Sequence, residues 1–273
     1  DDGTRSLPSE WQEGGIQSQE LIDATRSGGG RTDASRDAAA NELIRLTKAF
    51  EPVMRPSENT SGLDHSFNVS VGDTKKVGGR DLGFLFGLNY DRDYSFYANG
   101  ITGRHMVSDV GVDTDLYLQD TRGIEEISWG NLATLAYKIS DHHTIGFNFL
   151  FNHSSEDEAR IQQGFLQSFE DSHFNTSVLH YTIRELRSMQ FKGDHIFPEF
   201  LDLKSNWVAA FSSTSQDEPD LRFFSYDQNV DSDRINIALS GYDPPTRYFR
   251  ELNEDNTNFK WDNALPFLSL IHI

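Results

Sequence analysis

Apolar side chains recur at every second position in several segments of this chain, and no other feature constrains the fold as strongly. In residues 144–151, "TIGFNFLF", this spacing puts Ile145, Phe147, Phe149 and Phe151 on one side of an extended strand. Glycine and asparagine occupy most of the intervening positions. The pattern predicts a strand with one strongly apolar face and one polar face.

The same period of two returns along the chain and predicts an all-β, antiparallel fold of about seven strands. The predicted strands lie near residues 66–72, 81–91, 128–140, 144–152, 177–194, 206–214 and 247–267.

The connections between these strands alternate between short and long. Short ones fall near residues 74–79, 141–143 and 197–202, and long polar ones near 94–125, 153–175 and 216–246. Outer-membrane barrels sort their connections in this way, with brief turns on one side and long loops on the other. The alternation predicts a transmembrane barrel in which the apolar faces contact lipid and the Gly-, Asn- and Ser-bearing faces line a wet interior.

Four large aromatic residues near the predicted strand ends fit the aromatic girdles of such barrels: Trp129, Tyr137, Trp207 and Trp261. A soluble antiparallel sheet with one face on a core would give the same alternation. A soluble or surface-exposed all-β binding module, with the long loops as its recognition face, therefore remains the alternative.

Residues 1–64 contain too few apolar residues to fold alone and are interpreted as an extracellular loop or insertion. Within them, residues 38–50 predict a short amphipathic helix with Leu43, Leu46 and Phe50 on one side. The barrel strands occupy residues 65–267. The tail 268–273, "LSLIHI", breaks the pattern and is interpreted as non-native sequence.

Composition excludes several classes of protein. A net charge of -19 argues against a nucleic-acid partner, because such binding depends on neutralising phosphates with Lys and Arg. The mean hydropathy of -0.57 and the lack of a long apolar run exclude a bundle of membrane helices. Without cysteine, neither disulfides nor thiolate metal sites are possible.

Two groups of residues raise the question of a metal site. His142 and His143 are adjacent in a tight turn, where their side chains point apart, and no third ligand follows at a suitable spacing. Four aspartates are loosely spaced like a calcium loop but lack the spacing and the glycine of an EF-hand: Asp109, Asp113, Asp115 and Asp120. We predict no metal site and no cofactor.

Two acidic runs follow upward-running strands and are interpreted as a solvated rim. Their carboxylates are Glu156, Asp157, Glu158, Asp217, Glu218 and Asp220. Alternatively, these carboxylates could bind lipopolysaccharide phosphates through bridging cations, or capture a cationic ligand. A hydrolase would need two carboxylates at a defined distance, for example Glu158 and Asp217, and nothing in the sequence fixes one. The prediction is that the chain is not an enzyme.

The charges on the predicted strand 177–194 are expected to alternate between its two faces. Arg184 should face away from Glu185 and Arg187, and these charges should lie above the lipid, because a charge at the bilayer midplane costs ~2–4 kcal/mol.

The glycines of residues 28–30 are interpreted as a flexible loop. A phosphate-binding loop would need a preceding strand and a following Lys-Ser/Thr, and the sequence has neither.

Several segments in order resemble the barrel of TonB-dependent outer-membrane receptors. They are "VGDTKKVGGRDLGFLFGLNYDRDYSFY", "WGNLATLAYKISDHHTIGFNFLFNHSSEDEAR", "RELRSMQFKGDHIF", "WVAAFSSTSQDEPDLRFF" and "YFRELNEDNTNFKWDNALPF". The resemblance covers most of residues 64–267. It implies a barrel of about 22 strands closed by an N-terminal plug.

The resemblance also implies function, location and partners. Such receptors bind a scarce nutrient (a siderophore, cobalamin, an oligosaccharide or a peptide) at their outer loops and import it into the periplasm. They lie among the lipid and lipopolysaccharide of the outer membrane of a Gram-negative bacterium, and the TonB complex drives import through the plug. The sequence shows no plug, no TonB box and only about seven strands, so we expect a partial barrel from such a receptor.

Overall fold

A computed structural model describes residues 5–12, 18–26, 32–167, 172–237 and 245–266. Strands account for 71% of the structure and helices for 11%, so the fold is all-β as predicted. The helices are α1 (Ser9–Gln12), α2 (Ser18–Thr25) and α3 (Asp33–Thr47). The strands are β1 (His65–Val77), β2 (Arg80–Ser108), β3 (Gly111–Lys138), β4 (His143–Leu166), β5 (Ser172–Phe197), β6 (Leu203–Asn229), β7 (Ile235–Asn236) and β8 (Thr246–Ala264).

The strands form one antiparallel sheet in which each of β1 to β6 pairs with the next along the chain. β6 pairs with β7 at one end and with β8 along most of its length. Seven long strands match the seven predicted, and the two-residue β7 is an addition. In the described part of the chain the sheet does not close on itself, and β1 and β8 form its edges.

The prediction of long extracellular loops was wrong for most of their length. The polar stretch 94–125 continues β2 and β3 as a hairpin whose strands are separated only by Asp109 and Val110. β4 and β5 likewise extend through the acidic stretch, and β6 extends to Asn229. These residues looked like loops because both faces of the sheet are polar here. Ion pairs and hydrogen bonds between strands replace the apolar contacts that mark a strand in sequence.

Each hairpin therefore has two halves, which we call the near half and the far half. The near half adjoins the short connections at residues 78–79, 139–142 and 198–202. The far half holds the strand extensions. The 3₁₀ turn Pro198–Phe200 ends in left-handed backbone at Leu201 and Asp202, which reverses the chain into β6.

The predicted helix is confirmed as α3, which begins five residues earlier and ends three residues earlier than expected. Thr32 caps it by accepting a hydrogen bond from the Ser35 amide at 3.3 Å. Leu46 is fully buried, while the side chain of Trp11 donates to its carbonyl oxygen at 2.9 Å. The interpreted tail 268–273 and the glycines 28–30 lie outside the described residues.

The sheet is a single layer with almost no apolar core. Among the described residues, the buried hydrophobic side chains are Leu46, Leu116, Leu118 and Phe174. Large apolar residues in the near half are instead exposed, among them Val69 at 60% and Phe86 at 47%. A soluble antiparallel sheet normally covers its apolar face with a second layer. Within the described residues the near half has no such layer.

Candidate functional site

The strand register gathers the apolar side chains of the near half on one face, which we call the band face. Phe149 lies opposite Ala133 on β3 and Met189 on β5. Met189 in turn lies opposite Phe211 on β6. The apolar band comprises Phe67, Val69 and Val71, Leu82, Phe84, Phe86 and Leu88, Ala133 and Leu135, Ile145, Phe147, Phe149 and Phe151, Met189 and Phe191, Ala209 and Phe211, and Phe259.

Aromatic side chains border the apolar band on both sides. Tyr90 and Trp129 are paired at the border with the far half. Tyr137 marks the border near the short turns, where Trp207 is also paired with Trp261. The span from Trp129 to Tyr137 corresponds to about 26 Å of strand at ~3.3 Å per residue. Residues 129–137 thus have about the length of the roughly 9–11 residues with which a tilted strand crosses a bilayer, and aromatic borders are typical of the lipid-facing surface of an outer-membrane barrel.

The opposite face at the same level is more polar. Asn148 donates a hydrogen bond to Gln190 at 2.9 Å, and glycine, serine and threonine surround this pair. Three leucines interrupt the pattern: Leu85, Leu132 and Leu150. The two faces of the near half are therefore unlike in chemistry.

In the far half, a polar network crosses the opposite face around Asp120, which is 3% exposed. Arg160 donates to Asp120 through Nε at 2.9 Å and also through Nη2. Thr102 donates at 3.0 Å and Tyr97 at 3.2 Å. The hydrogen bond from Arg160, supported by those from Thr102 and Tyr97, holds the pKa of Asp120 below its usual range against the effect of burial.

A second ion pair continues this network on the next row. Arg122 lies directly opposite Arg160, which would be repulsive if both guanidinium groups lacked partners. Arg122 forms a two-pronged ion pair with Glu158, with both N···O distances 2.8 Å. This bond raises the pKa of Arg122. The diagonal pairs Asp120–Arg160 and Arg122–Glu158 balance two negative charges with two positive charges, so this cluster is close to neutral.

The structure separates the carboxylates that the sequence placed on one solvated rim. Glu156 and Glu158 lie on the opposite face, whereas Asp157 lies on the band face and bonds to Arg5 at 2.7 Å. All three lie within strand β4 and not in a loop.

The second acidic run is divided in the same way. Asp217 and Asp220 are on the band face, and Glu218 pairs with Arg250 on the other. Asp220 is buried and bonds to Arg222 at 2.8 Å. The placement of these two runs in loops is therefore wrong, because both lie within strands and most of their carboxylates have arginine partners in the sheet.

One acidic feature was missed in the sequence because its members come from different strands. Asp93 lies opposite Glu126, and Glu126 lies opposite Glu156, so three carboxylates form a row across β2, β3 and β4. A hydrogen bond with Asp91, together with the charges of Asp91, Asp64 and Glu126, raises the pKa of Asp93. This acidic row borders the polar side of the near half.

We expect replacement of Glu126 by glutamine to stabilise the sheet at neutral pH. Like charges directly opposite one another in a sheet cost roughly 0.2–1 kcal/mol, and the substitution removes the central charge of the row. The adjacent Glu125→Gln is the control, since Glu125 faces the other way and is ion-paired with Arg92. Urea unfolding should show a gain for the first variant and a small loss for the second. Equal effects would contradict the repulsion.

The adjacent His142 and His143 do not share a site, as expected. His142 is exposed in the turn. His143 pairs across the sheet with His195, with 3.2 Å between their Nδ1 atoms, and Trp207 donates to Nε2 of His195 at 3.0 Å. Gly193 permits this arrangement, because a Cβ atom there would overlap the Trp207 indole.

The four aspartates of the loose calcium pattern are not brought together. Asp109 lies in the hairpin turn, and Asp113 is exposed on β3. Asp115 pairs with Arg104 and Asp120 with Arg160. Across the described residues, no group of three or more His, Cys, Asp or Glu side chains is placed to hold a metal ion.

The predicted division of the β5 charges between the two faces is confirmed. Arg187 bonds to Glu185 at 2.9 Å on the band face, and it lies opposite Phe151, within the apolar band. Arg184 points to the opposite face, where it donates to Gln216 at 3.1 Å. Glu185 lies in the border row of Trp129, whereas Arg187 lies one row inside it, so the expectation that all of these charges lie beyond the apolar band is not met for Arg187.

Comparison with known proteins adds no assignment. The sequence matches no protein-family model, and a search of curated proteins gives no significant match. In the part of the chain that the structure describes, none of the helices is both long and apolar enough to span a membrane.

Proposed function

We propose that this chain is part of a TonB-dependent receptor of the outer membrane, which binds a scarce nutrient at the cell surface and imports it into the periplasm. The apolar band is the observation that carries the proposal. Its height, aromatic borders and exposed apolar side chains suit contact with lipid hydrocarbon. The polar face behind it suits a water-filled interior.

The open sheet is consistent with this proposal. Among the described strands, β1 pairs only with β2 and β8 only with β6, so the outer edge of each presents backbone groups without a strand partner. Further strands pairing with these edges would satisfy those groups, as a membrane barrel requires. The proposal includes lipid and lipopolysaccharide around the band and energy input from the TonB complex. It includes no catalytic activity.

The far half would stand above the membrane on the outer side. There both faces carry charged and hydrogen-bonding groups, including the Asp120–Arg160 and Arg122–Glu158 pairs. Long strands that continue beyond the lipid would form a rigid polar rim in place of mobile loops. The nutrient would pass along the face that carries these pairs and the acidic row.

The proposal is tested by the behaviour of the purified protein with and without lipid. We expect it to aggregate in buffer alone and to float with liposomes of outer-membrane lipid in a density gradient. Carbonate washing should not release it. A monomer that unfolds cooperatively without detergent and stays at the bottom of the gradient would contradict the proposal and favour the soluble binding module.

A further inference from the structure

Residues 50–54 cross the band face of the far half as a segment without regular secondary structure, which we call the strap. Three side chains from three neighbouring strands hold its carbonyl oxygens. Ser177 on β5 donates to Met54 at 2.9 Å, and Arg222 on β6 donates to Val53 at 2.7 Å. Arg247 on β8 donates to the carbonyl oxygen of Glu51.

The two arginines under the strap lie directly opposite one another in the β6–β8 ladder. Their side chains are 8% and 13% exposed, so water screens their mutual repulsion poorly. Burial lowers the pKa of Arg247, although the charge of Asp220 opposes this. A buried pair of cations is unusual in a chain with a net charge of -19.

One carboxylate compensates these two cations only in part. Arg222 donates to Oδ2 of Asp220 at 2.8 Å, and Arg247 reaches the same atom at 3.4 Å. Oδ1 of Asp220 has no hydrogen-bond partner among the described residues. The charge of Glu51, a residue of the strap, also acts on Arg247, so the covered site is formally neutral and displacement of the strap would leave it with a formal charge of +1.

The strap itself is weakly held apart from these donors. Val53 is 51% exposed, and Pro52 within the strap and Arg55 directly after it are also exposed. Phe50 makes the main aromatic contacts, with Phe249 at 6.0 Å and with the guanidinium of Arg247 at 5.1 Å. Displacing residues 51–54 therefore uncovers little apolar surface, because the Phe50 contacts lie at the end of the strap.

We propose that Ser177, Arg222 and Arg247 form a binding site for a multivalent oxyanion of the phosphate class, and that the strap covers this site when no anion is bound. Two guanidinium groups and a hydroxyl converge on one row of oxygen atoms, an arrangement suited to phosphate. The strap carbonyls stand in for the anion's oxygens. A multivalent anion carries more negative charge than the strap, which offers its carbonyls and the single carboxylate of Glu51, so the anion displaces the strap. The inference does not depend on the proposed function.

The test uses a nitroxide label attached at Val53→Cys, a position that leaves the backbone carbonyl in place. Titration with pyrophosphate should mobilise this label severalfold in a saturable manner, as read from its electron paramagnetic resonance spectrum. Sodium chloride at matched ionic strength should not. A second arm replaces pyrophosphate with micelles that contain phosphatidic acid. A response to these micelles alone would identify a lipid headgroup as the source of the phosphate.

Variants show whether the arginines are responsible. With Arg222→Met and Arg247→Met together, the label should be mobile from the start and pyrophosphate should have no effect. Arg250→Met is the matched control, because Arg250 lies on β8 but pairs with Glu218 on the opposite face.

If the double methionine variant does not fold, Arg222→Lys with Arg247→Lys keeps the charge and should weaken the pyrophosphate response. A label that stays immobile at saturating pyrophosphate and phosphatidic acid, or that responds equally to chloride, would overturn the proposal.

Discussion

Met189→Lys is expected to lower the free energy of unfolding of the protein in lipid by about 2–4 kcal/mol, the cost of a lysine near the middle of the bilayer on the lipid face of a barrel. Met189 lies at mid-height of the apolar band, between Phe149 and Phe211, and is 45% exposed on the isolated sheet. Urea unfolding from lipid vesicles, followed by tryptophan fluorescence, measures the change.

Ser188→Lys provides the matched control for this prediction. Ser188 precedes Met189 on the same strand, so its side chain points to the opposite face at the same height. A lysine there would enter water and should change the unfolding free energy by less than about 1 kcal/mol. If the two lysines have equal costs, the two faces do not differ in environment, and the band is not a lipid-facing surface.

Asp120→Ala is expected to have the second large effect, a loss of about 2–4 kcal/mol. Removing one partner of a buried ion pair costs roughly 3–5 kcal/mol, and we discount this because Arg160 is 31% exposed. Arg160 would lose its carboxylate, while Thr102 and Tyr97 would lose an acceptor. Asp113→Ala is the control, since Asp113 is exposed on the same strand.

The pH dependence of the same contact gives an independent measurement. The pKa of Asp120 is lowered in the folded protein, mainly by its bond to Arg160, so its contribution is complete above the ordinary pKa of an aspartate. That contribution is lost as the pH falls through the lowered value. The stability difference between the wild type and Asp120→Asn should therefore shrink in acid. A difference that is constant with pH would show that the ion pair contributes nothing.

Sequence alone was sufficient for the near half of the sheet. The period of two in residues 144–151 located β4 and assigned its apolar face, because side chains in a strand alternate without exception unless a bulge intervenes. The same alternation correctly predicts that Arg184 and Arg187 lie on opposite faces of β5. The short connections gave the other boundaries, except that residues 74–77, which were predicted to lie in a connection, belong to β1.

The far half could not be predicted in this way, because its strands are stabilised by contacts between residues distant in sequence. Arg160 is held by Asp120, and the row from Asp93 to Glu156 spans three strands. No local pattern reports such partners. The strap contacts are more remote still, since Arg222 bonds to a carbonyl 169 residues earlier in the chain. The strand register that brings these residues together is set only when the sheet folds, so a local sequence pattern does not contain it.

Collision accessibility of nitroxide labels placed one at a time along residues 186–193 tests the central claim most directly, with the protein in lipid bilayers. The account predicts that labels at Met189 and Phe191 are accessible to molecular oxygen and shielded from a water-soluble nickel chelate. Labels at Ser188 and Gln190 should show the reverse, in a period of two. Labels at Met189 and Phe191 that are shielded from both reagents would place this face in a packed protein interior and contradict the account.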